Sequence, residues 1–366
     1  MKITRRKFNK IVQIIKGSRL NGDLVKFCLN LAKRVFVPMK AEKDIPYPTT
    51  IMLELTNRCN LRCTMCPRVH DYGRDMELGD MDIELAKQII DECYPYLQSI
   101  GLTGMGETLF ARNLLEVAKY VKSKKSTIVT SLSTNANIPD FIEKISAVLP
   151  YVDTVQVSID GVGSVYDSIR VGGTFEPFDA NVRKLADLAS KNNVDIMFNM
   201  VVSKENYTSM PDVIEYASKV GVKYVNFNYI NLACITNKPV EYYDVFRTNE
   251  YMEILKKARD KAAENRDIEV TGLADFDSNW VGKCKLLYNH FQINYDGNVP
   301  PCCAKPFSKE YNFGNVKGNS VMAVLNSDKA KAFRSQWSRV KCHKFCNKCH
   351  LSSSAKSQNR EHDGTV

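Results

Sequence analysis

From residue 50 onward, short runs rich in apolar and β-branched residues recur, separated by stretches of helical periodicity. The runs are TIMLEL (50–55), SIGLTG (99–104), TIVTSLST (127–134), TVQVSID (154–160), DIMFNMVVS (195–203) and KYVNFNYI (223–230). Between them lie segments such as DIELAKQIIDECYPYL and NLLEVAKYVKSK, with apolar positions three or four apart. Strand alternating with helix predicts parallel strands joined by crossovers. Six such units are too few for a closed eight-fold barrel, so the expected core is an α/β partial (β/α)6 barrel.

The pattern changes on both sides of this core. After a helical stretch at EYMEILKKARDKAAEN, residues from 284 onward read as a hairpin, FQINYDGNVPPCC, with Asp296-Gly297 as its turn. A short helix at SVMAVLNSDKAKAF follows, then the last cysteines and a polar tail expected to be disordered. Before the core, two amphipathic stretches carry Phe8, Ile11, Val12 and Ile15, then Leu24, Phe27, Cys28, Leu31 and Val35, separated by Gly17 to Gly22. The proline-containing EKDIPYPTT reads as the linker into the body. The expected organisation is an N-terminal arm (1–47), the partial barrel (48–283), a small Cys-rich hairpin-helix domain (284–350) and a tail (351–366).

Charge sharpens the reading of the arm. The chain carries +10 overall, and residues 1–47 hold twelve Lys and Arg against Asp23, Glu42 and Asp44, a balance of +9. The remainder is almost neutral, which argues against a nucleic-acid-binding core. A basic amphipathic arm suits peripheral contact with an anionic membrane or an acidic partner; it equally suits a helical pair packed beneath the body with its charges solvated. No run of 18 apolar residues and no signal peptide occurs, so a cytoplasmic location is expected.

The twelve cysteines are the strongest chemical signal. In a cytosolic chain of this size they read as metal or catalytic thiols rather than a disulfide framework. Cys59, Cys63 and Cys66 form one cluster; Cys284, Cys302, Cys303, Cys342, Cys346 and Cys349 lie in the last quarter; Cys28, Cys93 and Cys234 stand apart. Three thiols in TNRCNLRCTMCPR are one short of a structural zinc site, for which only His70 lies near. A [4Fe–4S] cluster on three thiolates leaves one iron open to a small molecule.

Cys59-x3-Cys63-x2-Cys66 directly after a first strand resembles the signature of the radical S-adenosylmethionine (SAM) enzymes. Further motifs follow in the family's order. GMGE, Gly104 to Glu107, is similar to its Gly-Gly-Glu motif, with Met105 at the second position. STN ends in Asn135, SIDG begins at Ser158, and YDSIRVGG contains Arg170. The resemblance implies that Gly104, Gly106 and Glu107 meet the SAM amino group. It likewise implies that Ser158 and Arg170 meet its carboxylate and ribose, that Asn135 belongs to the same site, and that Met65 takes the place of an aromatic residue beside the adenine. Asn228 or Tyr229 is a further candidate for the adenine. It also implies reductive cleavage of SAM to a 5'-deoxyadenosyl radical, driven by a reducing partner such as flavodoxin or ferredoxin.

By spacing alone, the second cysteine set also fits a zinc ribbon. Attached to this core, it resembles the SPASM or shorter twitch extension, which holds auxiliary clusters. The resemblance implies one auxiliary [4Fe–4S] cluster on Cys284, Cys302, Cys346 and Cys349, with Cys342 as substitute ligand. Cys234, just past the sixth strand, and Cys303, beside a ligand, are candidate hydrogen donors to a substrate radical. The leading expectation is oxidation or epimerisation of a small molecule such as a sugar, cyclitol or nucleotide-linked metabolite. The alternative is a maturase that modifies a peptide or protein side chain.

Overall fold

The computed structural model describes residues 22–36, 40–235, 237–276, 284, 286–337 and 343–351. Eight strands are present among them: β1 Thr50–Leu53, β2 Ser99–Leu102, β3 Val129–Thr134, β4 Thr154–Ser158, β5 Asp195–Val202, β6 Tyr224–Tyr229, β7 Glu269–Thr271 and β8 His290–Ile293. They form one sheet in the order β7-β6-β5-β4-β3-β2-β1-β8, and every neighbouring pair is parallel. β7 and β8 are its free edges, so the barrel is open, as expected.

The sheet has two strands more than the pattern predicts. β7 spans three residues, too few for a periodic signal. β8 is the first limb of the expected hairpin, and it joins the barrel instead, running parallel to β1 from Thr50↔His290 to Leu53↔Ile293. The turn at Asp296-Gly297 does form, with Gly297 at φ +85°. The returning chain leaves β8 after the Asn294–Asn298 bond and pairs with residues 313–316, where Val299 and Phe313–Gly314 exchange backbone hydrogen bonds. The Cys-rich segment is therefore stitched to the barrel through β1, where the core residues of TIMLEL prefer a strand on each side.

Crossover helices cover the outer face: α2 Ile83–Cys93, α3 Leu114–Lys124, α4 Phe141–Val148, α5 Phe175–Asn192, α6 Met210–Lys219 and α7 Asn249–Glu264. α2 starts where the Asp82 carboxylate accepts the amides of Glu84 and Leu85 (2.9 and 3.2 Å), and it buries Leu85, Ala86, Ile89, Ile90 and Cys93 against the sheet. Strand alternation divides the faces: along β5, Ile196, Phe198, Met200 and Val202 are buried, while Asp195, Met197, Asn199 and Val201 are part-exposed on the other face. A preceding helix, α1 Gly22–Phe36, lies against the body through Phe27, Asn30 and Arg34. The Arg34 guanidinium donates to the carbonyls of Pro46, Tyr47 and Tyr288 (2.6–3.1 Å). The first amphipathic stretch (Phe8 to Ile15) and nearly all of the tail lie outside the described residues, as does Cys342.

Candidate active site

The cysteine loop leaves the end of β1 and is held from three sides. Arg62 and Thr64 amides donate to the carbonyls of Val171 and Ile169 (2.8 and 3.0 Å), and the Cys66 amide donates to Cys63 (2.9 Å). His70 Nε2 lies 2.8 Å from the Thr64 carbonyl, so this ring serves the loop backbone. Burial pushes all three thiols up, Cys66 to about 11.

The GMGE segment fits into this loop without room to spare. A β-carbon on Gly106 would lie 2.4 Å from the Thr56 carbonyl oxygen and 2.7 Å from that of Arg58; one on Gly104 would meet the Glu54 side chain at 2.3 Å. Glycine here is required for contact with the cysteine loop itself. Glu107 follows, fully buried, accepting the amides of Leu109 (3.2 Å) and Asn135 (2.7 Å), and burial raises its pKa. Asn135 in turn points Nδ2 at Cys59 Sγ (3.9 Å) and Asn60 Oδ1 (3.0 Å). Glu107 and Asn135 thus tie the ends of β2 and β3 to the first cysteine.

Arg170 is largely buried, its side chain 11% exposed, with Nε 2.6 Å from Asp160 Oδ2, and it reaches Cys63 Sγ at 3.8 Å. Burial works to lower its pKa, but Asp160 and the neighbouring thiols together outweigh that and raise it. Asp160 also accepts the Val201 amide (2.9 Å). Ser158 and Asn228 sit on the part-exposed faces of β4 and β6, and Met65 packs against the core edge. Tyr229 points away from Asn228, its hydroxyl on Tyr251 (2.7 Å) and the Ala274 carbonyl (3.0 Å), so Asn228 is the residue of the two that faces the open side. On that same side a ladder of neutral groups crosses four strands: Thr271 donates to Asn226 (2.7 Å), Asn226 to Asn199 (3.0 Å) and Asn199 to Gln156 (2.9 Å).

The second set also converges. Burial, then Cys302, Cys349 and Cys284, raise the Cys346 thiol far above its ordinary value; burial, then Cys302, push Cys284 up to about 11. Cys302 donates to Cys303, which holds Cys303 below its usual value and Cys302 above. The buried Trp337 indole nitrogen has no hydrogen-bond partner in the protein, and its nearness to Cys346 works to lower that thiol's pKa. Cys234 is buried, donates to the Asn231 carbonyl (2.9 Å) and lies within electrostatic reach of Cys302 and of Cys66.

This donor chemistry fits iron–sulfur clusters. Nitrogen donors aimed at Cys59 and Cys63 are the outer contacts that thiolate-bound iron wants, and the raised thiols would release protons to the metal on binding. Asp160, Asn60, Glu54 and Trp337 belong to these sites and are not singled out by spacing. Asp160 alone had a visible signal, inside SIDG.

Residues 53–217 match the family model of the radical SAM superfamily, and residues 284–350 match that of the SPASM iron–sulfur cluster-binding domain. A tungsten-containing aldehyde ferredoxin oxidoreductase cofactor-modifying protein of Pyrococcus furiosus is 28% identical over 310 residues, 78% of this chain and 82% of that protein. The antilisterial bacteriocin subtilosin biosynthesis protein AlbA of Bacillus subtilis is 24% identical over 328 residues, covering 88% and 70% respectively. Streptococcus suis SuiB bound to precursor peptide SuiA has a similar fold, with a TM-score of 0.62 at 15% identity over 84% of this chain and 71% of that one.

Proposed function

This chain belongs to the radical SAM superfamily and carries a SPASM iron–sulfur domain, and from that premise we propose that it modifies a side chain of a peptide or protein. Its cofactors are SAM, the [4Fe–4S] cluster that binds SAM, and an auxiliary iron–sulfur cluster. The observation that carries the peptide reading is an open groove of about 1010 Å³ on the rim, formed by Lys204 and Glu205 after β5 and by residues 237–248 after β6. It continues the loop that bears Cys234. Charges of both signs and the apolar surfaces of Pro239, Tyr242 and Val245 line it, which suits an extended chain better than a small ligand, whose pockets enclose it. The subtilosin-biosynthesis relative, similar across both domains, supports the same choice over the small-molecule oxidation or epimerisation expected first.

When bound, SAM and the reduced cluster would supply the chemistry of hydrogen-atom abstraction from substrate. In this proposal Cys59, Cys63 and Cys66 hold that cluster. Gly104, Gly106, Glu107, Asn135, Ser158, Arg170, Met65 and Asn228 form the SAM side of the site. Arg170, fixed by Asp160, presents positive charge beside Cys63, where a carboxylate is best received. Asn135 and Asn60 fix Cys59. Cys284, Cys302, Cys346 and Cys349 hold the auxiliary cluster. The Cys234 thiol, held protonated by burial, could give its Sγ hydrogen atom to a substrate radical, giving epimerisation, with the thiyl radical left behind taking an electron from the reductant and a proton from solvent; in oxidation the auxiliary cluster would instead accept the electron that the substrate radical loses as its proton leaves. Cys303, engaged by Cys302, stays with the auxiliary set. An acidic reductant such as flavodoxin or ferredoxin would dock at the cavity of about 470 Å³ bordered by Cys59, Arg62, Arg68 and Arg74.

The test is anaerobic: reconstituted protein with SAM and dithionite is given the peptide and small-metabolite fractions of a host extract, and 5'-deoxyadenosine is measured. The peptide fraction should stimulate its formation, and protease treatment should abolish the effect. Stimulation by the metabolite fraction alone, resistant to protease, would overturn the peptide reading.

A further inference from the structure

The helix α1 turns one face onto the body, and among the described residues nothing covers the apolar face opposite it. Phe27, Asn30 and Arg34 turn inward onto the body, anchored by Asn30 and Arg34 on the Tyr47 carbonyl (3.0 and 2.8 Å) and by Lys125 over the Phe27 ring (4.8 Å). At about 100° per residue, Val35, Cys28, Ala32, Val25, Phe36 and Leu29 fall on one continuous arc of about 120° on the opposite side. That arc is open: Val25 is 57% exposed, Leu29 60%, Val35 67% and Phe36 81%. Exposed Lys26 and Lys33 border it on one flank, 80–100° round from Val25 on the same helical count. Asp23, the helix's one acid, is engaged by the Tyr94 hydroxyl (3.2 Å) and by Lys26 (3.8 Å).

We propose that this outward stripe lies in the boundary between headgroups and acyl chains of an anionic bilayer, holding the barrel at a membrane surface. A contiguous exposed apolar stripe marks an interaction site, and the basic flank selects its chemistry. A second copy is the wrong occupant: an isologous pair would bring together two arms that each carry +9 over residues 1–47. An anionic surface neutralises the same charge, and each nearby Lys or Arg adds to the attraction. The inward anchors fix the helix orientation before contact, so the stripe faces the lipid without rearrangement of the barrel. No helix among the described residues is long and apolar enough to cross a membrane, so α1 lies on the surface. The proposal is independent of the reaction and of its substrate.

Flotation of the full chain with vesicles tests it. The protein should rise with phosphatidylcholine vesicles containing phosphatidylglycerol, remain behind with pure phosphatidylcholine, and lose binding as salt increases. V25D/L29D/F36D should reduce partitioning by at least about tenfold, while iron content and melting temperature stay at wild-type values because the replaced side chains are exposed. K26E/K33E should weaken it in the same lipid-dependent way. Absence of partitioning into anionic vesicles overturns the proposal. So does partitioning that the triple variant leaves unchanged, or concentration-dependent dimerisation in sedimentation that the triple variant abolishes while vesicles bind nothing.

Discussion

Arg170 and Asp160 meet at 2.6 Å, with the Asp160 side chain buried and that of Arg170 11% exposed, and the same guanidinium touches the sulfur of Cys63. The pair therefore sets a positive charge beside the second cysteine at a fixed position. Removing one partner leaves the other charged and desolvated, which costs about 3–5 kcal/mol. Asp160→Ala should lower the urea stability of iron-free protein by about that amount, and the added change Arg170→Met should recover most of it. A loss below about 1 kcal/mol in the single variant would mean the pair is screened by water.

Gly106 carries a steric prediction. Its replacement by Ala would place a methyl group within 2.4 Å of the Thr56 carbonyl oxygen, so the cysteine loop must shift. The variant should bind about four fewer iron atoms per chain on reconstitution. Gly22→Ala is the control, because nothing lies within 4 Å of a β-carbon there. Equal iron in both variants would show that the loop tolerates displacement.

Glu54 makes a pH-dependent contribution. Its carboxyl accepts the Met105 amide at 2.8 Å and lies 3.5 Å from the Tyr295 amide, linking the GMGE segment to the turn after β8. Burial pushes its pKa up to about 7 from the ordinary 4.5. The folded state thus holds this proton where the unfolded state has lost it. The associated stability is fully present below about pH 4.5 and is lost as pH rises through about 7, an effect on the order of 3 kcal/mol. Glu54→Gln should remove that fall between pH 5 and 7.5, read from urea midpoints of iron-free protein. An identical slope in variant and wild type would assign the pH dependence to other groups.

The fold was legible where periodicity runs long. Six of the eight strands and the crossover helices follow from alternation and helical spacing, because each buries one face against the shared core. β8 was missed as a barrel strand because pairing partner is a tertiary choice: HFQI satisfies a hairpin or a parallel edge equally well, and only contact with β1 decides. The cysteine loop was legible because three sulfurs at fixed spacing are rare. The partners that orient it, Asn60, Asp160 and Glu54, are ordinary polar residues whose role depends on what folds beside them. Both motif glycines were visible, yet the reason for them, close approach to Glu54 and to the Thr56–Arg58 backbone, belongs to the folded chain.

Arg62 and Arg74 are exposed beside the cavity that Cys59 borders. If an acidic reductant docks there, R62E/R74E should slow flavodoxin-supported 5'-deoxyadenosine formation by about tenfold at low salt, through loss of electrostatic steering. Formation driven by dithionite, which needs no docking, should stay unchanged. Equal losses with both reductants would place the arginines in the cluster site rather than on a docking surface.

The most direct measurement is SAM cleavage by anaerobically reconstituted protein, with iron counted in the same samples. Wild type should form 5'-deoxyadenosine under dithionite; C59A/C63A/C66A should form none while keeping about four iron atoms on the auxiliary site. Undiminished 5'-deoxyadenosine from the triple variant, or wild-type protein that binds no iron, would contradict the account.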